Sequence, residues 1–138
     1  MDVSNVFLHG DLEEEVFMKL PPGHPQSGNS MLVCKLHKSI YGLKQSSRAW
    51  HAKLSIAFEG LGFTRSIADF SLFIQLGYAH KLVVLIYVDD LIITGSNDDS
   101  ITQLKKSLQQ QFLIKDLGHL KYLLVIEMVA SRIGFFLN

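Results

Sequence analysis

One cysteine, Cys34, stands in 138 residues, which excludes an internal disulfide and any cysteine-built metal cage. Only three prolines occur, and two of them (Pro21, Pro22) sit together, so the chain has one strong break in its first third. The longest apolar run, Leu82 to Val88, is far too short for a membrane helix and is followed at once by charge. No basic region followed by an apolar stretch opens the chain, so no signal peptide is expected. Net charge is lacking too, with 13 basic and 13 acidic residues. The two signs are nevertheless segregated. Residues 1–18 carry Asp2, Asp11, Glu13, Glu14 and Glu15 without Lys or Arg; residues 19–58 carry Lys19, Lys35, Lys38, Lys44, Arg48 and Lys53 without Asp or Glu. Such a split suits binding of both cations and phosphates, although ordinary clustering of solvated charge is the simpler account of the asymmetry taken alone.

Apolar residues, by contrast, are plentiful: 48% of the chain, with a mean hydropathy of +0.22. The length allows one domain with a normal core, and the apolar excess suggests faces made for further neighbours. Short strands are expected over 1–8, 15–20, 31–36, 71–76, 82–88, 91–94, 122–129 and 133–137, with helices over 46–60 and about 100–111. Ala49, Trp50, Leu54, Ala57 and Phe58 recur at helical spacing, and Asn97, Asp98 and Asp99 offer caps to the second helix. Hairpins interrupted by two helices indicate an α+β fold, an antiparallel sheet backed by helices in a ferredoxin-like arrangement.

The chemistry concentrates at Tyr87-Val88-Asp89-Asp90, between Leu82-Val83-Val84-Leu85-Ile86 and Leu91-Ile92-Ile93-Thr94. Adjacent carboxylates at the tip of an apolar hairpin repel one another and lose hydration unless a cation neutralises them. Asp2, opening another apolar segment, is placed to meet them across a sheet. Three carboxylates suit Mg²⁺, which takes oxygen ligands and keeps several waters. The plainer reading is an Asp-rich turn and an exposed terminal acid. Six histidines (His9, His24, His37, His51, His80, His119) show no metal-ligand spacing.

Several motifs in order decide between these readings. Met1-Asp2-Val3-Ser4-Asn5-Val6-Phe7-Leu8-His9-Gly10-Asp11-Leu12 resembles the first palm motif of copia-type retrotransposon reverse transcriptases. Leu36 to Trp50, with Tyr41-Gly42-Leu43-Lys44-Gln45 at its centre, resembles the second. Tyr87-Val88-Asp89-Asp90 resembles the third, and Lys115-Asp116-Leu117-Gly118 with Tyr122 to Glu127 the segment downstream.

The resemblance implies a polymerase palm over residues 1–138, the RNA-directed DNA polymerase core of a Pol polyprotein. It implies Asp2, Asp89 and Asp90 as catalytic residues and ligands of two Mg²⁺ ions, with Mn²⁺ as a substitute. Phe7 matches the aromatic that selects against a 2′-hydroxyl, which requires the first strand to end before it. Tyr41, Gly42, Gln45 and Tyr87 fall at nucleotide contacts. Lys44 and Arg48, read as one helical turn apart, can face phosphate or serve as plain surface charges. Lys115 matches a lysine that protonates leaving pyrophosphate. Trp50 reads as core.

The implied partners are an RNA or DNA template-primer, dNTPs and the remaining Pol regions: fingers, thumb and ribonuclease H. The implied setting is intracellular and cytoplasmic, in a virus-like particle, with no membrane. Ser47, Val6 and Val125 depart from the family's proline, alanine and glycine, the last in a segment resembling the primer-gripping hairpin. Beginning at the first catalytic motif, the sequence is expected to lack complete fingers and thumb. The competing expectation is an inert retroelement remnant with weak metal or nucleic-acid binding.

Overall fold

The computed structural model describes residues 1–29, 31–78, 80–123, 126–131 and 134–137. In chain order it contains β1 (Asp2–Val3), a 3-10 turn (Val6–His9), β2 (Asp11–Lys19), β3 (Val33–Lys38), α1 (Ser46–Gly60), β4 (Thr64–Arg65) and β5 (Leu72–Leu76). There follow β6 (Lys81–Tyr87), β7 (Asp90–Gly95), α2 (Asp98–Gln111), β8 (Ile114–Lys115), β9 (Tyr122–Leu123), β10 (Ile126–Ser131) and β11 (Gly134–Leu137). It is an α+β fold with antiparallel pairing and two helices. Two compact units are present, residues 5–75 and residues 1–4 with 76–138.

In the unit of residues 5–75, β2 and β3 form an antiparallel ribbon with an irregularity between Asp11 and Val16. Helix α1 packs on β2, on β4 and on the 3-10 turn. It buries Trp50, Leu54 and Phe58, whose spacing places them along one stripe. Phe58 stacks on Phe73 at 5.1 Å and meets Phe63 edge-on at 5.3 Å. Such aromatic pairs add stabilisation beyond the area they remove from water. Trp50 is core, as its spacing indicates.

In the other unit the strand order β6-β7-β1-β8 is antiparallel throughout. Leu82, Val84, Ile86, Leu91, Val3 and Ile114 are buried, and α2 packs on β7 and β8 with Leu104 and Leu108 inward. The helix covers the Gly95 face, since a Cβ on Gly95 would lie 3.4 Å from Ile101 Cγ1. Asn97 caps α2 by accepting the Ser100 N–H at 2.9 Å, as its side chain suggests. The helix begins at Asp98, slightly earlier than expected.

Three expectations need correction. The strand over 1–8 ends at Val3, because Asn5 enters the left-handed region (φ 53°) and starts the 3-10 turn. The turn that the sequence suggests at His9-Gly10-Asp11 stops short of Asp11, which already belongs to β2 and stands opposite Lys38. The strand over 122–129 is two antiparallel strands, with Leu123 opposite Ile126; β10 then pairs with β11 as the sequence suggests. Val125 lies outside the described residues.

Candidate active site

The hairpin of β6 and β7 turns through only Val88 and Asp89, with Tyr87 opposite Asp90. Val88 sits at φ 51°, a left-handed conformation that a β-branched side chain adopts only under strain. Nothing in its side chain announces this; the signal is the two-residue turn the flanking strands leave room for. Main-chain bonds fix β1 beside the hairpin: Leu91 N–H donates to the Met1 carbonyl at 2.8 Å and Val3 N–H to the Asp89 carbonyl at 2.9 Å.

This pairing sets Asp2 directly opposite Asp90 on one side and opposite Lys115 on the other. Residues opposite one another across antiparallel strands project to the same face. Tyr87, Asp90, Asp2 and Lys115 therefore form a row on the face opposite the α2-covered core, with Asp89 in the turn at its end. Burial raises the Asp90 carboxyl above the ordinary carboxylate range; the negative charge of Asp89 raises it further, and Asp2 adds to this. Asp2 and Asp90 are half-buried, and Tyr87, Asp89 and Lys115 are exposed.

The register makes Asp90 the immediate neighbour of Asp2, whereas Asp89 contributes its backbone to the same junction. All three donors are carboxylate oxygens, the ligand type a hard divalent cation takes, and their mutual repulsion is what such a cation relieves. The donor set thus fits Mg²⁺. Among the described residues no three His, Cys, Asp or Glu side chains are gathered closely enough to hold a metal ion. The sheet supplies the adjacency; the side chains are not drawn together.

Close by, Lys105 bonds both oxygens of Asp116 at 2.9–3.1 Å, which holds the Asp116 carboxyl below its ordinary value. A cavity of about 280 Å³ is lined in part by Lys105, Asp90, Ile92, Leu120 and Tyr122.

The unit of residues 5–75 holds the other sequence-derived candidates. Phe7 lies on the 3-10 turn and meets the Tyr41 ring edge-on at 4.7 Å. Gly42 takes φ 93°, and a Cβ there would meet nothing within 4 Å. Its glycine is thus required by backbone conformation rather than by close approach. Gln45 stands at the N-cap position of α1 without a side-chain capping bond, and it lines a cavity of about 210 Å³ with Arg48, Lys53 and Asp11. Lys44 precedes α1, so helical spacing does not align it with Arg48. Ser47 is exposed in the first turn, and Val6 is wholly buried, so its extra bulk fills the core. Asp11 bonds Lys38 and also Lys53 at 2.7 Å, and these bonds hold its carboxyl down at about 2.

Two serines that sequence reading passed over fasten this region. Ser39 Oγ donates to the Phe7 carbonyl, and Ser46 Oγ donates to the Ile40 carbonyl at 2.5 Å. Both side chains are buried. The available signal was serine flanking Tyr41-Gly42, since short hydroxyl side chains bond nearby main chain in irregular segments.

Among the described residues no helix is long and apolar enough to cross a membrane. A family model described as reverse transcriptase (RNA-dependent DNA polymerase) matches residues 1–137. The Retrovirus-related Pol polyprotein from transposon TNT 1-94 of Nicotiana tabacum is 37% identical over 133 residues, 96% of this chain and 10% of that protein. Those from transposons RE1 and RE2 of Arabidopsis thaliana are 38% and 41% identical over 138 and 133 residues, covering 100% and 96% of this chain and 9% of each relative. The chain thus spans about a tenth of the length of these curated relatives. No solved structure matches it. With the motifs in order and the match running almost end to end, the chain belongs to the reverse transcriptase family, as a copia-type Pol segment.

Proposed function

We propose that residues 1–138 are the palm of an RNA-directed DNA polymerase, with a ferredoxin-like sheet carrying the reaction centre. The observation that carries this reading is the row Asp90–Asp2–Lys115 across β7, β1 and β8, with Asp89 in the adjoining turn. Asp2, Asp89 and Asp90 would hold two Mg²⁺ ions, or Mn²⁺ in their place. When bound, such ions lower the pKa of an attacking hydroxyl and neutralise charge on a leaving pyrophosphate.

The chain's own residues do the rest. The β1–hairpin junction fixes the backbone that carries the carboxylates before substrate arrives, which leaves side-chain rotation as the reorganisation needed to gather them. Lys115, beside Asp2, offers a proton and positive charge to the departing pyrophosphate. Within residues 5–75, Phe7, Tyr41, Gly42 and Gln45 take the role of nucleotide or template-base contacts and Lys44 and Arg48 that of phosphate contacts; Tyr87, beside the acids of the other unit, takes that of a nucleotide contact. The partners are a primed RNA or DNA template, dNTPs and the other Pol regions, and the setting is cytoplasmic.

A second reading is a retroelement remnant with weak metal or nucleic-acid binding and no turnover. The ungathered carboxylate side chains favour it for the isolated segment. Mg²⁺-dependent primer extension on poly(rA)/oligo(dT), paired with Mn²⁺ binding followed by electron paramagnetic resonance, separates the two. The expected result is Mn²⁺ binding lost in Asp2→Asn, with little or no extension by the 138 residues alone. In the full-length polyprotein, extension should occur and fall by about 10³-fold or more in Asp89→Asn. Full activity of that Asp89→Asn polyprotein would refute the assignment.

A further inference from the structure

We infer that Ser39 is the positioning residue for Phe7 and thereby sets the discrimination between deoxyribose and ribose; the second half rests on the nucleotide-binding reading of Phe7 above. The argument begins with the main chain. The Phe7 carbonyl accepts two bonds, from Gly10 N–H at 3.1 Å and from Ser39 Oγ. Ser39 N–H in turn donates to the Gly10 carbonyl at 3.0 Å. One residue of the segment after β3 thus grips the 3-10 turn at both Phe7 and Gly10.

The grip is enclosed. Ser39 is wholly buried, so its hydroxyl has no water to exchange for the Phe7 carbonyl. A Cβ on Gly10 would lie 2.8 Å from Ser39 Oγ and 3.0 Å from both Ala49 Cβ and Trp50 N. Only glycine lets the turn close onto α1 at this distance. Two residues past Ser39, Tyr41 lays its ring edge-on against Phe7. Both rings of the aromatic pair are therefore carried by backbone that Ser39 fastens together. A gate that selects against one hydroxyl group works only if its ring is held in place; the buried bond to its own carbonyl holds the backbone that carries the ring, and the Tyr41 ring packs against it.

The test reads ring contact and sugar preference separately, on the 138-residue chain with Mg²⁺ present. Aromatic NOEs between Phe7 and Tyr41 report the pose. Perturbation of the Phe7 ring resonances by dGTP and by GTP reports relative affinity. In Ser39→Ala the Phe7–Tyr41 NOEs are expected to weaken, and the preference for dGTP to shrink by about tenfold. Ser55→Ala, which removes another buried hydroxyl in the same unit, bonded to the His51 carbonyl at 2.8 Å, should change neither. Should Ser39→Ala fail to fold, Ser39→Cys keeps a weaker donor of similar shape and is expected to give an intermediate result.

Unchanged NOEs in a folded Ser39 variant overturn the positioning role. Weakened NOEs with an unchanged sugar preference overturn the selectivity role. If the unsubstituted chain binds neither nucleotide, the nucleotide-binding reading of Phe7 fails, and the NOEs still decide whether Ser39 sets the ring.

Discussion

At the scale of single residues, Asp90 is where folding and chemistry pull in opposite directions. Burial and two like-charged neighbours make its ionised form costly in the native state. Its native pKa is therefore above the value near 3.8 of the unfolded chain, and the native state binds more protons between those two values. Stability is fully retained below about 3.8 and falls as pH rises through the native pKa. Asp90→Asn should match the parent chain's urea midpoint in acid and exceed it near neutrality; a constant difference at every pH would contradict this. Asp11 and Asp116 run the other way, since bonds to lysines hold their carboxyls low and their support is lost as acid protonates them. Asp11 is exposed, so screening by water keeps its share small. The carboxylates were legible in the sequence as a chemically odd cluster. Lys115 as the neighbour of Asp2 was not, because register between strands over a hundred residues apart leaves no local trace.

Among the elements, legibility followed length and periodicity. Helix α1 was readable to the residue from the spacing of Trp50, Leu54 and Phe58, and α2 from Asn97 and the stripe of Leu104 and Leu108. The segment 1–8 misled because Val3, Val6 and Phe7 satisfy strand preference while Asn5, tolerant of a left-handed backbone, breaks the strand between them. That break is also what the role proposed for Phe7 requires. Strand β7 ends on a glycine for a steric reason: a Cβ on Gly95 would lie 2.6 Å from Leu82 Cδ2 and 2.7 Å from the Lys81 carbonyl. Gly95→Ala should therefore destabilise the unit by about 1–3 kcal/mol, read as a lower denaturation midpoint, rather than stabilise it as Gly→Ala usually does in a compatible site. An unchanged midpoint would mean that the β6–β7 ladder yields more easily than its close contacts indicate.

For the whole molecule, large apolar side chains lie exposed in both units: Met31, Ile56, Ile67 and Phe70 in one, Leu113, Leu117 and Tyr122 in the other. Surfaces of this kind drive association. The chain alone should form reversible assemblies at micromolar concentration that grow with added sulfate, seen by light scattering; a monodisperse monomer at high salt would contradict this. The same molecule carries a constraint in time. Its two-residue strand β1, which precedes every other element of the chain, takes its place between β7 and β8, which emerge only in the second half. Contacts so distant along the chain are slow to form, because a long loop must close before any bond rewards it. On the ribosome Asp2 must wait for more than a hundred further residues before Lys115 arrives beside it. The pairing of Asp2 with Lys115 is consequently a late event of synthesis, and a nascent chain arrested before β8 would hold its three acids without the lysine that neighbours Asp2.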